Sequence, residues 1–414
     1  MKIPAPYHVA VACLAFAAST AHAATPECGG LPRLDVTTPP GFCVAQLADG
    51  FKFPRGLQPL ANGDLLVTDM GGWEEGRGSI WLLTRGAQGY ERKQLLNHLD
   101  RPNGIVLGPD GLIYVGLVKR IVRFDLRDPA GTMSDVVGGA SKTAPLPGLG
   151  RHLLTAMRFD RKGDLYVNVG SATDHCENAD GAAPAPDKAC AEAEGESPLG
   201  SIRRYGMKWP AGTVESSEVY ARGLRNSMAL AFHPVSNALW QGENSRDFIQ
   251  AAMPKLANDN NLPHDELNLV QRGANYGWPY CYDDRQPSPE YPQADCSKYR
   301  KPERLLPAHA APLGMLFYTA GRFPEVYKNS LIVGYHGYRQ HGHRLVALLP
   351  DKAGAPLGKS VDLISGWTSK PHQGMGAPVD VKQGADGNIY IAEDRTGRIV
   401  SLRYEGETKA AEGK

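Results

Sequence analysis

The sequence predicts an all-β fold, a six-bladed β-propeller with long disulfide-stapled loops. Three observations point there. One hairpin-like phrase recurs six times; 47 Gly and 32 Pro favour many turns over long helices; and six cysteines fall into three close pairs. The phrase is a loop, an apolar-alternating run, a Gly, Asp or Asn turn, and a second such run. It spans Gly56–Val67, Asn103–Val115, Ala156–Val167 and Met228–Trp240, then Met315–Val333 with a longer insertion at its turn, and finally Val379–Ile391. In the second copy, Ile105-Val106-Leu107 and Leu112-Ile113-Tyr114-Val115 flank the turn Gly108-Pro109-Asp110-Gly111. Period-two runs about a turn that needs positive φ are the signal of a hairpin. A lone hairpin cannot bury its faces, so copies at intervals of about 50 to 90 residues imply blades stacked around an axis. A β-sandwich is the structural alternative, but it gives no reason for one phrase to return six times. No amphipathic helix longer than about three turns is discernible.

The N-terminal stretch reads as a cleaved secretory signal over residues 1–23. Lys2 is followed by an apolar run from Val9 to Ala18 and by Ala21-His22-Ala23 at the exit. That run is far shorter than the ~20 apolar residues of a membrane helix, and no later segment is long enough, so membrane insertion is not expected. Residues 24–414 then form a single propeller domain. Cys13 leaves with the signal, and the clustering of the rest favours the pairs Cys28–Cys43, Cys176–Cys190 and Cys281–Cys296. Bridges over loops of that size are worth about 3 kcal/mol each and belong in an oxidising compartment, periplasmic or secreted. No Cys-x-x-Cys is present, which excludes a zinc ribbon, a c-type haem site and a thioredoxin-type centre. With 45 Lys+Arg against 44 Asp+Glu there is no electrostatic reason to expect nucleic acid or an acidic membrane as partner.

A propeller places chemistry at one mouth, in residues just before each copy's first strand or just after its second. Four stretches there are rich in polar groups: Gly150–Thr155 and Ala221–Ser227 ahead of the third and fourth copies, and Gly242–Asp247 and Tyr335–Arg344 behind the fourth and fifth. Their arginines suit an anionic ligand, because the guanidinium fork pairs bidentately with carboxylates. A histidine among them would have a depressed pKa and serve as a base. The same residues also suit a hydrogen-bonded structural histidine and surface ion pairs at Arg222 and Arg225. Neither a zinc-protease His-Glu-x-x-His nor a Gly-x-Ser-x-Gly elbow occurs, and Gly138–Thr143 lacks the spacing of a P-loop.

Several stretches carry a family resemblance. Leu165–Ser171 followed by Asp174-His175-Cys176-Glu177, then Tyr220–Asn226, Gly242–Asp247 and Asn275–Tyr280, stand in the order and blade positions seen in the soluble six-bladed dehydrogenases that use pyrroloquinoline quinone (PQQ). The chain resembles that group, often called sorbosone or aldose sugar dehydrogenases, from about Phe53 to Tyr404. The resemblance implies oxidation of a sugar by hydride transfer to PQQ, with His152 as the base that takes the hydroxyl proton. It places Arg225 and Asn226 against the quinone oxygens, Arg225 stabilising the developing charge. It assigns the cofactor carboxylates to Arg339, with Arg344 and Arg395 behind it. Calcium would bridge cofactor and protein, partly through backbone carbonyls in Glu243–Asp247, with Glu243 and Asn244 as the metal residues. Electrons would leave to a separate acceptor, a cytochrome or a quinone. Three departures from the family pattern stand out: Ser227 where proline is common, Thr155 where Lys or Arg is frequent, and Asn244-Ser245 in place of a Gly-Pro calcium turn.

The reading is therefore an exported quinoprotein acting on a sugar. Two alternatives stand beside it. One is a non-catalytic propeller that binds carbohydrate or protein. The other is a metal-dependent, lactonase-like propeller, with Glu243, Asn226 and Asp380 forced into a ligand ring.

Overall fold

The computed structural model describes Met1 and residues 27–86, 89–141, 144–148, 150–367 and 376–406; the signal-peptide segment lies outside the described residues apart from Met1. Six four-stranded antiparallel sheets form a six-bladed propeller. Blade 1 holds the strands Pro54–Pro59, Leu65–Asp69, Gly78–Gly86 and Gly89–Leu99. Blade 2 runs from Ile105–Leu107 out to Ser134–Gly138, blade 3 from Met157–Phe159 to Thr213–Arg222, and blade 4 from Ala229–Phe232 to Arg304–Ala308. Blade 5 runs from Pro312–Phe317 to Ser360–Ile364. Blade 6 takes Pro378–Gln383, Ile389–Glu393 and Arg398–Tyr404 from the end of the chain and its outer strand, Phe42–Ala48, from the beginning. That strand pairs antiparallel with Arg398–Tyr404, Phe42 opposite Tyr404 and Val44 opposite Leu402, and closes the ring. Adjacent first strands touch all the way round, the last against Pro54–Pro59.

The six repeats are the inner hairpins of the six blades. Each turn needs one residue in the left-handed region, and it is where the sequence offers one: Gly63, Gly111, Gly163, Asn237, Asn329 and Gly387, with φ between 57° and 89°. Every second strand is buried along its whole length, from Leu65–Asp69 to Ile389–Glu393, because blades press on both of its faces. Apolar clusters fill the interfaces between blades, among them Leu66, Ile105 and Phe124 between blades 1 and 2, and Trp240, Met315 and Val346 between blades 4 and 5. The outer strands are partly solvated: Gly89–Leu99 buries only Leu96 and Leu99.

Helix is scarce. Among the described residues the α-helix is the single turn Pro129–Thr132, and no described helix is long and apolar enough to cross a membrane. Disulfides join Cys28–Cys43, Cys176–Cys190 and Cys281–Cys296. The second lies in the insertion between the second and third strands of blade 3, the third in the insertion between the third and fourth strands of blade 4. These two insertions pack together: Tyr280 Oη accepts from the Cys190 N–H at 2.9 Å and donates to Glu194 at 2.9 Å.

Candidate active site

The ends of the inner hairpins converge on a central cavity of about 340 Å³. Blade 1 supplies Arg55 and Trp73, and the approach to blade 3 supplies Arg151 and His152. Asn226 enters ahead of blade 4, His336 and Tyr338 follow the second strand of blade 5, and Asp394 and Arg395 follow that of blade 6. Apolar side chains, Met70, Leu154 and Met228 among them, line the same space.

His152 is placed by the end of blade 3's second strand. A Cβ on Gly170 would fall on the carbonyl and Cβ of His152, so glycine there lets the imidazole lie against the strand. The next residue, Ser171, donates its hydroxyl to the Thr173 carbonyl at 2.6 Å, which leaves its oxygen as acceptor for His152 Nδ1 at 2.9 Å. The Ser171 carbonyl, 3.2 Å from the same nitrogen, can only accept. Nδ1 therefore carries the proton and Nε2 the lone pair. Burial and then the charge of Arg225 push the imidazole pKa well below its ordinary value; Asp174 pulls it back in part, and Arg151 adds a smaller push down. His152 is thereby held neutral near pH 7.

Arg225 stands beside this histidine, since its carbonyl accepts from the Ser171 N–H at 2.8 Å, but its guanidinium does not line the central cavity. Nε donates to the Asp174 carbonyl at 3.0 Å, and Nη1 to the carbonyls of Asn244 and Ser245, both at 2.9 Å. Nη2 takes the Asp174 carboxylate and, at 3.4 Å, Asp247. All five N–H donors are thus engaged, and none is left for a quinone oxygen. Burial opposes the Asp174 charge, but His175 and Arg225 outweigh it and hold that carboxyl well below the usual range. The carbonyls of Asn244 and Ser245 are thereby occupied as well, in the stretch that the resemblance gives to calcium. Asn226, by contrast, lines the cavity, and its side-chain oxygen is buried without a partner.

Glu243 lies beneath Asn226 and accepts from its N–H at 3.0 Å, from Gln241 Nε2 at 2.7 Å and from Ser227 Oγ at 3.2 Å. Ser227, the residue in place of proline, thus serves as a donor to this carboxyl. Burial raises Glu243 to about 7 and Asp265 to about 7; burial and then Glu243 raise Glu266 well above its ordinary value. Glu243 and Glu266 both line a cavity of about 30 Å³, together with Ser245 and Tyr282. Asn244 does not line it, although its side-chain oxygen is also buried without a partner.

Of the three cofactor arginines, the structure brings only Arg395 to the central cavity, 3.7 Å over the Tyr338 ring. Arg339 turns instead to Asp259 at 2.6 Å, and Arg344 to Asp362 at 3.2 Å and the Gln340 carbonyl at 3.2 Å. Thr155 is buried and donates to the Leu117 carbonyl at 3.0 Å. Asp380 is spent on Lys382 at 2.6 Å and Arg158 at 3.5 Å, which takes it out of a metal ring. Sequence reasoning passed over Arg55 and Asp394 as site residues; His336 lay within the stretch Tyr335–Arg344 but was given no role of its own. Arg55 Nη1 meets Asp394 at 2.7 Å, and His336 Nε2 donates to the other carboxylate oxygen at 2.9 Å. The rule that picked His152, applied to blades 1 and 6, reaches Arg55 and Asp394.

Residues 117–401 match the family model described as Glucose / Sorbosone dehydrogenase. The aldose sugar dehydrogenase of Escherichia coli is 25% identical over 259 residues, 60% of this chain and 58% of that one. A pyrroloquinoline quinone-dependent pyranose dehydrogenase of Coprinopsis cinerea is 25% identical over 90% of this chain and 55% of its own. The chain spans about half the length of the relatives it matches. Its fold is that of the PQQ domain of the Coprinopsis cinerea pyranose dehydrogenase in its holo form, with a TM-score of 0.66 over 91% of this chain and 99% of that domain at 22% identity. The model covers well over half of the sequence, and the chain belongs to the glucose/sorbosone dehydrogenase family.

Proposed function

We propose that this protein is an exported quinoprotein that oxidises a sugar, with PQQ as hydride acceptor and His152 as general base. The observation that carries the reading is a neutral imidazole, its proton fixed on Nδ1, in a cavity lined by three guanidinium groups, Arg55, Arg151 and Arg395, and by the one carboxylate of Asp394. A tricarboxylate fits that excess of positive charge, the volume lies within the range of small-molecule sites, and the unpartnered oxygen of Asn226 marks a polar contact left for a ligand. Arg151, Arg395 and Asn226 would hold the cofactor, which when bound takes up the hydride. Arg55, committed to Asp394 and Asn103, shapes the wall behind them.

His152 Nε2 removes the hydroxyl proton of the sugar carbon that gives up its hydride, turning an alcohol or hemiacetal carbon into a carbonyl. Arg225 acts through the histidine: its charge disfavours the imidazolium and keeps the base free. It also ties the blade 3 insertion, at Asp174, to the loop behind blade 4. A divalent cation such as calcium, which binds oxygen donors, would be held by Glu243 and Glu266, where it would fix the loop under Asn226. The three disulfides support a periplasmic or secreted location. A separate cytochrome or quinone would take the electrons onward.

The test is reconstitution. Metal-free, cofactor-free protein mixed with calcium and PQQ should gain dye-reducing activity on aldoses. If neither calcium nor another divalent ion brings activity with the quinone, the protein is a binding propeller instead.

A further inference from the structure

The insertion of blade 3 begins with a short turn, Ser171-Ala172-Thr173-Asp174. Both groups that set the state of His152 are carried on it. Ser171, the acceptor at Nδ1, stands at one end, and Asp174, which engages the Arg225 guanidinium, at the other. The middle of the turn is held by one carboxylate from farther along the insertion. One oxygen of Glu192 accepts from the Ala172 N–H at 2.6 Å and from the Thr173 N–H at 3.4 Å, and the other accepts from the Thr173 hydroxyl. The oxygen of that hydroxyl takes the Glu177 N–H at 3.0 Å, so its proton is committed to the carboxylate.

Glu192 is itself fixed. Its carbonyl accepts from the Leu199 N–H at 2.7 Å. Two positions before it, Cys190 is bridged to Cys176, which lies two positions after Asp174. Disulfide and carboxylate therefore pin the same two segments side by side. The consequence reaches the imidazole. Ser171 gives its hydroxyl proton to the Thr173 carbonyl at 2.6 Å, and it accepts from His152 only while that carbonyl stays in place. A hydroxyl rotates to suit its partners. With Thr173 released, the proton of Ser171 would turn onto Nδ1, the ring proton would move to Nε2, and the base would be lost.

We propose that Glu192 is a positioning residue for His152: by holding Thr173 it fixes the direction of the Ser171 hydroxyl, and so keeps the imidazole proton on Nδ1 and the lone pair on Nε2. That this lone pair serves the oxidation of a sugar rests on the reading of the central cavity given above. The clamp itself does not depend on that reading.

Histidine-selective 15N labelling reads the tautomer in cofactor-free protein, because a protonated ring nitrogen and one with a lone pair resonate far apart. His152→Ala identifies the signal. In the unaltered protein the proton should be on Nδ1. Glu192→Gln keeps the size of the side chain but sets an NH2 group, a donor, against the donors of Ala172 or Thr173. The proton should then move to Nε2 in most molecules. When Glu192→Gln is combined with Ser171→Ala no hydroxyl is left to turn. The backbone carbonyl at position 171, 3.2 Å from Nδ1, can only accept, and the proton should return to Nδ1. After reconstitution with calcium and PQQ, Glu192→Gln should lower kcat roughly 10- to 10²-fold with KM nearly unchanged. A proton on Nε2 in the unaltered protein, a proton unmoved by Glu192→Gln, or a double variant that does not recover overturns the clamp. A proton that moves as expected in a protein that gains no dye-reducing activity leaves the clamp standing and overturns the oxidation reading instead.

Discussion

At His152, the bonds made by one ring nitrogen decide the state of the other. Ser171 can only accept at Nδ1, so the lone pair is on Nε2, and the buried setting beside Arg225 and Arg151 keeps it unprotonated. His152→Ala should therefore lower kcat by about 10²- to 10⁴-fold in the reconstituted protein while PQQ still binds; near-normal turnover would remove the histidine from the mechanism. Because its pKa is depressed, the base form persists as pH falls past the ordinary histidine value. The acid limb of kcat/KM should accordingly lie below pH ~6.5. Arg151→Gln withdraws one depressing charge and should move that limb upward; a limb that does not move would show that this charge is screened from the ring. His152 was legible because it sits one short step ahead of a readable strand. Arg225 was legible as a neighbour of the site but not in its role, since the carbonyls of Asn244 and Ser245 that absorb its donors are brought to it by folding. Arg55 and Asp394 are 339 positions apart, and no local pattern announces that ring closure will join them.

Among the elements, the inner hairpins could be read and the outer strands could not. A second strand pressed between two blades needs apolar residues on both faces and a tight turn before it, and Leu165–Val169 after Gly163 shows both. An outer strand such as Thr213–Arg222, with Glu215, Ser216 and Ser217 exposed, carries too little apolar pattern to stand out. The closing strand Phe42–Ala48 was missed for another reason: its partner is at the far end of the chain. Its anchor is Phe42, whose ring lies 4.8 Å from Phe323, 4.9 Å from Tyr404 and 5.5 Å from Tyr327. Phe42→Ala should cost about 3–5 kcal/mol. In native-state hydrogen exchange the amides of Arg398–Tyr404 should lose protection first, ahead of those in blade 3. Uniform loss across all six blades would mean that the ring opens as one unit rather than at its seam.

For the whole molecule, the buried carboxyls under blade 4 set how stability responds to pH and to metal. Glu243 and Asp265 are raised to about 7, and Glu266 higher, so the folded protein holds protons that the unfolded chain releases above the ordinary carboxylate range. Stability gained from these groups is full below that range and is lost as pH rises through about 7 and beyond, because the native state binds the more protons. Metal-free protein should then melt at a lower temperature at pH 8 than at pH 5. A divalent cation in the small cavity lined by Glu243 and Glu266 competes with those protons and favours the ionised pair. Calcium should raise the melting temperature clearly at pH 8 and hardly at pH 5. At about a hundredfold excess over Kd the gain would be about 2.7 kcal/mol, a shift of a few degrees. Glu266→Gln should reduce the pH slope, leaving the part due to Glu243 and Asp265, and abolish the calcium response. A variant that keeps its calcium response would place the cation elsewhere, and the pH slope would then report burial alone.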